Sequence, residues 1–252
     1  MKYMIGGNWK MNGDPHGASE FLHRMAGKGS SSAAADIVIF PPFTLLAAMA
    51  EPARSAGIAL GGQDLFWEEK GAYTGEISPG MLREAGAQWF LAGHSERRHL
   101  IGETDTIVRK KLDAGLKAGL KAVLCVGELL EQRETGRTEE VVEGQLRSAL
   151  EGIGPVSSSS LVIAYEPVWA IGTGLTATPD EAQRMHSLIR EWTVSIMGED
   201  TGGGVRIQYG GSVKPGNAAE ILARPSVNGA LVGGASLKAE SFWKIVQAAG
   251  SG

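Results

Sequence analysis

The chain has 252 residues, of which 43% are hydrophobic, and its formal net charge is −4. A chain of this length and composition can bury the core of one large α/β domain, and its acidic balance argues against nucleic acid or an anionic membrane as a partner. Cys125 is the only cysteine, which excludes an intrachain disulfide. Residues 1–12 lack the apolar run of a secretory signal, and no segment reaches the ~20 apolar residues of a membrane span. We therefore expect a cytoplasmic protein.

Eight short runs rich in branched apolar residues predict β-strands. Few of them alternate with polar residues, so each strand is expected to be buried on both faces, as in a parallel sheet. In chain order the runs are Tyr3–Asn8, Asp36–Phe40, Ile58–Gly62, Trp89–Gly93, Lys121–Val126, Leu161–Tyr165, Val205–Tyr209 and Gly229–Val232.

Helical patterns lie between these runs. Residues 106–120 carry apolar side chains at helical spacing, and Thr178 with Glu181 forms a capping box that has Pro179 at the first helical position. Eight alternating strands and helices predict a (β/α)8 barrel, with residues 1–252 as a single domain. The alternative is an open doubly wound sheet, but residues 8–13 lack the glycine fingerprint of that fold's first turn.

Three low-complexity connectors precede predicted strands. They are expected at the amino-terminal ends of the barrel strands, the end that contributes to stability rather than to catalysis. We assign no function to these connectors, which are Gly29–Ala35, Ser157–Ser160 and Gly202–Gly204.

The carboxyl ends of the strands, where α/β barrels carry their active sites, bring several reactive residues together. Glu166 directly follows the run Leu161–Tyr165, and a segment stiffened by Pro167 and loosened by Gly172 and Gly174 comes next. This order is typical of a lid that closes over a carboxylate acting as general base. Taken alone, Glu166 is more easily explained as a structural carboxylate paired with a neighbouring cation.

His94 and Lys10 end two other strands. A helix beginning near Ser95 would disfavour the imidazolium form of His94, which leaves a neutral imidazole able to donate a hydrogen bond. Lys10 is suited to bind an anion, with Glu96 as the partner that orients it. The structural alternatives are a turn histidine satisfied by backbone and a lysine at the surface.

Two glycine-rich turns follow the seventh and eighth strands. Gly210, Gly211 and Ser212 form one turn, and Gly233 with Gly234 forms the other. Backbone N–H groups at these two positions are typical of a phosphate site, although a single Gly-Gly pair is usually only a turn.

The remaining cysteine and histidines offer little further chemistry. Cys125 lies in an apolar run and is better explained by packing than as a nucleophile. The other histidines show no metal-ligand spacing with one another or with Cys125, so we predict no metal and no cofactor.

Six segments together resemble the triosephosphate isomerase family, in its order and spacing and over essentially the whole chain. The segments are Asn8–Asn12, Gly93–Arg98, Cys125–Glu128, Ala164–Gly174, Tyr209–Val213 and Gly233–Leu237. The resemblance implies that Glu166 shuttles a proton between C1 and C2 of a triose phosphate through an enediolate, and that neutral His94 is the electrophile. It implies substrate binding by Asn8 and Lys10 and phosphate binding by backbone N–H groups of Gly172, Ser212, Gly233 and Gly234.

The family also implies a lid and a partner. The lid, residues 167–177, would be held closed by Tyr209 reaching Ala177 and Ser212 reaching Gly174. A homodimer would form through the loop 71–76 around Thr74, which inserts near Lys10 and Glu96 of the partner, with Gln63 and Arg98 helping to hold the interface. Two departures from the family pattern are Asn228, where many members carry Asp, and the pair Gln63-Asp64 near the interface.

Two rival functions remain at this point. Another phosphate-binding barrel enzyme would share the glycine turns, but it should need acid–base groups other than the set of Lys10, His94 and Glu166. A catalytically inactive barrel retained for binding would keep the site without turnover.

Overall fold

The computed structural model describes residues 1–32, 34–171 and 176–250. Eight strands pair in parallel in the order β1 to β8, and β8 pairs with β1 to close a barrel. The predicted barrel is therefore confirmed and the open sheet is excluded. The strands are β1 Tyr3–Asn8, β2 Ala35–Phe40, β3 Ala59–Gly62, β4 Trp89–Ala92, β5 Lys121–Val126, β6 Leu161–Tyr165, β7 Arg206–Tyr209 and β8 Gly229–Val232.

The strand bounds differ from the predicted ones by at most one residue at an end. Strand β4 stops at Ala92 because Gly93 has a φ of +73°, a left-handed conformation that turns the chain out of the sheet and that favours glycine. This turn presents the following residue, His94, to the end of the barrel.

Helices follow the strands around the outside of the barrel. In chain order they are α1 Pro15–Met25, α2 Lys28–Ser31, α3 Phe43–Ser55, α4 Pro79–Glu84, α5 Asp105–Lys117, α6 Leu130–Glu134, α7 Thr138–Leu150, α8 Pro179–Met197, α9 Glu199–Gly202, α10 Ala218–Leu222 and α11 Ala239–Ala248. A π-helical turn, Arg97–Ile101, follows β4.

Helices α5 and α8 correspond to the two helices predicted from the sequence. In α8, Thr178 and Glu181 form the predicted capping box, with Pro179 at the first position. Helix α5 ends at Lys117, three residues before the end of its apolar pattern. Gly119 has a φ of +81° and turns the chain toward β5, so Leu120 is buried from outside the helix.

The core has two parts that follow from the alternation of side chains along each strand. One part fills the barrel interior, and the other lies between the strands and the helices. The interior is closed by packed side chains, namely Met4, Val38, Phe40, Trp89, Leu91, Val123, Cys125, Val162, Ala164 and Leu231. No helix among the described residues combines the length and apolar character needed to cross a membrane.

A buried ionic cluster lies outside the barrel, where β3 is followed by Asp64. Both carboxylate oxygens of Asp64 accept hydrogen bonds from Lys111 Nζ at 2.7 Å, and Lys111 also binds Glu103. Arg97 binds both acids from the surface side. Burial raises the pKa of Asp64 to about 6; Glu103 also raises it, while Lys111 and Arg97 act in the opposite direction. The sequence departure at Asp64 therefore places a titratable group in the core.

This cluster predicts how stability changes with pH. Because folding raises the pKa of Asp64, ionising this carboxyl costs more free energy in the folded chain than in the unfolded chain. Its contribution to the free energy of unfolding is therefore fully present below about pH 4 and is lost as the pH rises to about 6. The loss should be about 3 kcal/mol. Urea unfolding of wild type and Asp64→Asn across pH 4–8 should show the difference in unfolding free energy shrinking between pH 4 and 6. The exposed-pair variant Asp113→Asn is the matched control, and an equal pH dependence for both variants would contradict the prediction.

Candidate active site

A cavity of about 520 Å³ opens at the carboxyl end of the barrel strands, and we call it the mouth. Its walls come from the residues that follow β1, β4, β6, β7 and β8. The polar and charged residues that line it are Asn8, Lys10, Asn12, His94, Glu166, Ser212 and Lys214. The three predicted catalytic groups are therefore brought to one cavity.

Glu166 follows the last residue of β6 and is almost completely buried, with 2% of its surface exposed. One carboxylate oxygen accepts a hydrogen bond from the backbone N–H of Ser95 at 2.9 Å, and the other lies 3.2 Å from His94 Nε2. The carboxylate therefore lies at the floor of the mouth, within reach of a substrate atom placed there.

His94 stands where β4 turns into a helical segment that starts at Ser95, as predicted. The N–H of Glu96 donates to His94 Nδ1 at 3.3 Å, and the Glu96 carboxylate is farther from that atom, at 3.6 Å. Because Nδ1 accepts this hydrogen bond, the geometry assigns the proton of a neutral imidazole to Nε2. The Nε2–H group then faces the mouth and can donate to an oxygen there.

Lys10 holds the one positive φ found at a non-glycine residue in the described chain, +53°. This conformation is costly for a lysine, by about 1–3 kcal/mol, and such strain is typical of functional positions. Asn8 Oδ1 accepts from the Lys10 N–H at 3.0 Å, and Gln63 Nε2 donates to the Lys10 carbonyl at 2.8 Å. The ammonium pairs with Glu96 Oε1 at 2.6 Å, so the predicted orienting partner is in contact.

The two glycine-rich turns form part of the wall of the mouth. Ser212, Gly233 and Gly234 all line the cavity. A Cβ placed on Gly233 would lie 3.6 Å from Lys10 Cε, so this turn passes beside the lysine. Ser236 closes the second turn by donating from both its N–H and its hydroxyl to the Gly233 carbonyl. Gly172, the fourth predicted phosphate ligand, lies outside the described residues.

Comparison with known proteins agrees with this geometry. A profile of the family described as triosephosphate isomerase matches residues 3–249. The chain belongs to the triosephosphate isomerase family. It is therefore an aldose–ketose isomerase, and its barrel is the TIM barrel.

Individual relatives match along nearly the whole chain. The triosephosphate isomerase of Carboxydothermus hydrogenoformans is 48% identical over 246 residues, which cover 98% of each chain. That of Moorella thermoacetica is 50% identical, covering 96% of this chain and 97% of the relative. The crystal structure of the Bartonella henselae triosephosphate isomerase superposes with a TM-score of 0.90 at 41% identity, covering 98% of this chain and 99% of that one.

Cys125 lies beneath the catalytic groups, inside the barrel, and is fully buried. Burial raises the pKa of its thiol well above the usual value, and the neighbouring Glu166 carboxylate raises it further. A thiol kept neutral in this way is a packing residue under Glu166 rather than a nucleophile.

Glu128 is a functional candidate that the sequence analysis left without a role. It is fully buried after β5, where it accepts hydrogen bonds from Trp169 Nε1 at 2.8 Å and from the Tyr165 hydroxyl at 3.1 Å. Trp169 belongs to the segment that follows Glu166, so Glu128 anchors the start of the expected lid. The position of Glu128 in the sequence could have indicated a role, because it follows a buried strand closely, as Glu166 does.

Tyr209 was expected to hold the lid closed. Its hydroxyl is buried and makes no hydrogen bond with a described residue. Burial raises the pKa of Tyr209 to about 12, while the nearby backbone of Ala177 acts to lower it. The contact with Ala177 therefore stays a prediction for the closed form, and the contact of Ser212 with Gly174 lies outside the described residues.

Gly210 sets the position of the base, which gives a prediction. A Cβ on this residue would lie 2.8 Å from Glu166 Cγ, so Gly210→Ala should displace the carboxylate. We expect isomerase kcat to fall about ten- to a hundredfold, because small misplacements of a reacting group are costly. Gly144→Ala, where a Cβ meets nothing within 4 Å, is the control. The melting temperature of each variant should be measured alongside its activity. Equal activity of the two variants would show that the position of the Glu166 carboxylate does not depend on this contact.

No group of three or more His, Cys, Asp or Glu side chains that could hold a metal ion is found among the described residues.

Proposed function

We propose that this chain interconverts D-glyceraldehyde 3-phosphate and dihydroxyacetone phosphate by proton transfer through an enediolate. The observation that carries the proposal is the convergence of a desolvated carboxylate, an imidazole N–H and an ammonium on one mouth, with Glu166 Oε1 3.2 Å from His94 Nε2. An aldose–ketose isomerisation needs these three groups, namely a base, a donor to the carbonyl oxygen, and a cation for the developing negative charge.

Glu166 is the base that moves the proton. In the arrangement described, its carboxylate is bound by the Ser95 N–H, so it must leave this donor to reach a substrate carbon. It then takes a proton from C1 of dihydroxyacetone phosphate and returns it to C2, and the reverse transfer runs the reaction the other way. The protonated Glu166 carries the proton between the two carbons. The O1 hydroxyl proton must move to O2 in the same cycle, and His94 Nε2 relays it by giving its proton to O2 and taking the one from O1, so no external acid or base is consumed.

His94 and Lys10 stabilise the intermediate. As the proton leaves carbon, charge develops on the carbonyl oxygen, and the Nε2–H of neutral His94 donates to it. Lys10 is held at the mouth by Asn8, Gln63 and Glu96. Its ammonium supplies positive charge to the enediolate and to the phosphate, whose remaining contacts we assign to Ser212, Gly233, Gly234 and Gly172.

The segment 167–177 is proposed as the lid, anchored at its start by the contact between Trp169 and Glu128. Closure keeps water from the enediolate phosphate, which can otherwise lose its phosphate group. Deleting residues 172–175 should therefore divert product toward methylglyoxal and inorganic phosphate. The test is the ratio of methylglyoxal to isomerised triose phosphate, measured for the wild type and the deletion variant. Identical ratios would show that the lid does not protect the intermediate.

We further propose a cytoplasmic homodimer built from single barrel domains spanning residues 1–252. Residues 71–76 are all exposed, and so are the large apolar side chains of Met11, Leu100 and Ile101 near the mouth. Apolar side chains exposed together in this way are typical of a surface that another protein covers. Sedimentation of wild type and of a variant lacking the loop tip tests this assembly.

The test of the proposed function is isomerase turnover with EDTA present. We expect kcat/KM near the diffusional limit of ~10⁸–10⁹ M⁻¹s⁻¹, of which this family is a standard example. The reaction follows mass action in both directions and so serves glycolysis and gluconeogenesis alike. A folded protein that binds triose phosphate without turning it over would instead be a binding protein that has kept the site.

A further inference from the structure

A second cavity of about 520 Å³ lies at the amino-terminal end of the barrel, opposite the mouth. We call it the basal cup. Its walls are formed by the first residues of the strands and by the three connectors to which the sequence analysis gave no function. Residues from those connectors that line it are Gly29, Ala35, Ser158, Ser159 and Gly204.

The floor of the basal cup is the barrel interior. The alternation of side chains along the strands places a layer of charged residues over this floor. Side chains two residues apart on a strand point to the same face. Met4, Val38 and Val123 fill the interior, and the buried Gln208 donates to the Met4 carbonyl from β7. The residues two positions before these four are therefore the first inward-facing ones, namely Lys2, Asp36, Lys121 and Arg206, and all four line the cup.

This layer holds three cations and one carboxylate, which two of the cations share. Asp36 pairs with Lys2 at 2.8 Å and with Arg206 at 2.7 Å. Lys121 makes no ion pair with any described residue, and its ammonium lies 5.4 Å from the centre of the Trp89 ring. The basal cup thus holds excess positive charge on a protein whose net charge is −4.

Arg206 adds directional donors to this charge. Its side chain is only 12% exposed, and its guanidinium lies 5.8 Å from the same Trp89 ring that Lys121 covers. One nitrogen, Nη1, donates to Asp36, while Nε and Nη2 make no hydrogen bond within the described chain. A guanidinium fork with free N–H groups and an unpaired ammonium, both within 6 Å of one aromatic ring, are groups that bind phosphate oxygens.

We propose that the basal cup binds a small anion with two linked phosphate groups, one held by Arg206 and the other by Lys121. The cavity is within the size range of small-molecule sites, and concave walls concentrate the field of the cations. Packed interior side chains such as Phe40, Leu91 and Leu231 separate the cup from the mouth. Its occupancy is therefore independent of isomerase turnover and of the function proposed above.

Calorimetric titration with inorganic pyrophosphate, at low salt and with EDTA, tests the proposal on the full-length protein. Lys121→Met should weaken binding at the cup about tenfold, because it removes one charge-assisted contact. The variant should fold like wild type, since Lys121 has no ion-pair partner in the described chain. Its turnover should stay within twofold of wild type. Arg206→Met should weaken binding at least as much, and Lys244→Met, which removes an exposed lysine on α11, should leave binding unchanged.

The mouth also carries phosphate donors, so the two sites must be separated. Lys10→Met removes one of the two lysines that line the mouth and should leave pyrophosphate binding at the basal cup intact, whereas the double variant Lys10→Met/Lys121→Met should bind about tenfold more weakly. Weaker binding in the double variant than in Lys10→Met supports binding at the basal cup. If Lys121→Met and Arg206→Met bind pyrophosphate as wild type does, the proposal is wrong, whatever the turnover of the protein.

Discussion

Glu166→Gln should lower kcat for the isomerisation by about 10²- to 10⁴-fold, the range expected for loss of a general base. Glutamine has the size of glutamate, and its carbonyl oxygen can still accept the Ser95 N–H that holds the carboxylate at 2.9 Å. The amide cannot take up the carbon-bound proton, so binding should survive while proton transfer fails. Steady-state kinetics should therefore show a KM within a few-fold of the wild-type value and a kcat that is lower by the factor given above.

The control for this variant is Glu134→Gln, which makes the same chemical change at an exposed glutamate. It should leave kcat and KM unchanged. A second readout is exchange of the C1 proton of dihydroxyacetone phosphate with solvent deuterium, which requires the base but not product release. Glu166→Gln should lose this exchange as well. Exchange at the wild-type rate would assign proton abstraction to another group and leave Glu166 with a role in a later step.

The barrel was predictable because its signal is repeated eight times. Each strand is a short apolar run, and an error of one residue at an end, as at β4, leaves the order of elements unchanged. The end of α5 was harder, because Leu120 continues the apolar spacing although Gly119 has already turned the chain. The burial of Leu120 is real, but it arises from the approach to β5, which helical periodicity cannot reveal.

The candidate site was predictable as a set of residues but not as an arrangement. That His94 and Glu166 share a cavity follows from both ending parallel strands. The tautomer of His94, by contrast, depends on the N–H of Glu96 reaching Nδ1, and the strained backbone of Lys10 is held by Gln63, which directly follows β3. The first contact is local but depends on the side-chain torsion of His94, and the second joins residues 53 positions apart in the chain, so sequence patterns predict neither.

The charged layer of the basal cup could be predicted only in part from the sequence. Lys121 stands at the start of an apolar run, where a charged residue is ordinarily explained as solvated. Its convergence with Arg206 over Trp89 requires the strands to be in register around a closed barrel, and β4 pairs Trp89 directly with Lys121. The alternation could be predicted from sequence, but the meeting of the side chains could not.

Lys10→Met should lower kcat/KM by about 10³-fold, since removing a single donor to a developing oxyanion already costs about 10²–10³-fold. The methionine fills the same volume and leaves the contacts of Asn8 and Gln63 to the Lys10 backbone in place. The loss should therefore be electrostatic. Lys214→Met, which removes another lysine lining the mouth, is the matched control and should lower kcat/KM by less than tenfold, through weaker attraction of the phosphate.

One alternative explanation of a Lys10→Met defect needs its own variant. Losing the ammonium leaves Glu96 without the partner it holds at 2.6 Å, and an unpaired carboxylate at the mouth would itself repel the phosphate. The double variant Lys10→Met/Glu96→Gln removes that repulsion without restoring a cation. If Lys10 acts on the enediolate, the double variant should remain within a few-fold of Lys10→Met. Recovery to near wild-type kcat/KM would mean that Lys10 serves only to neutralise Glu96, and the positive charge needed in the transition state would then have to come from elsewhere at the mouth.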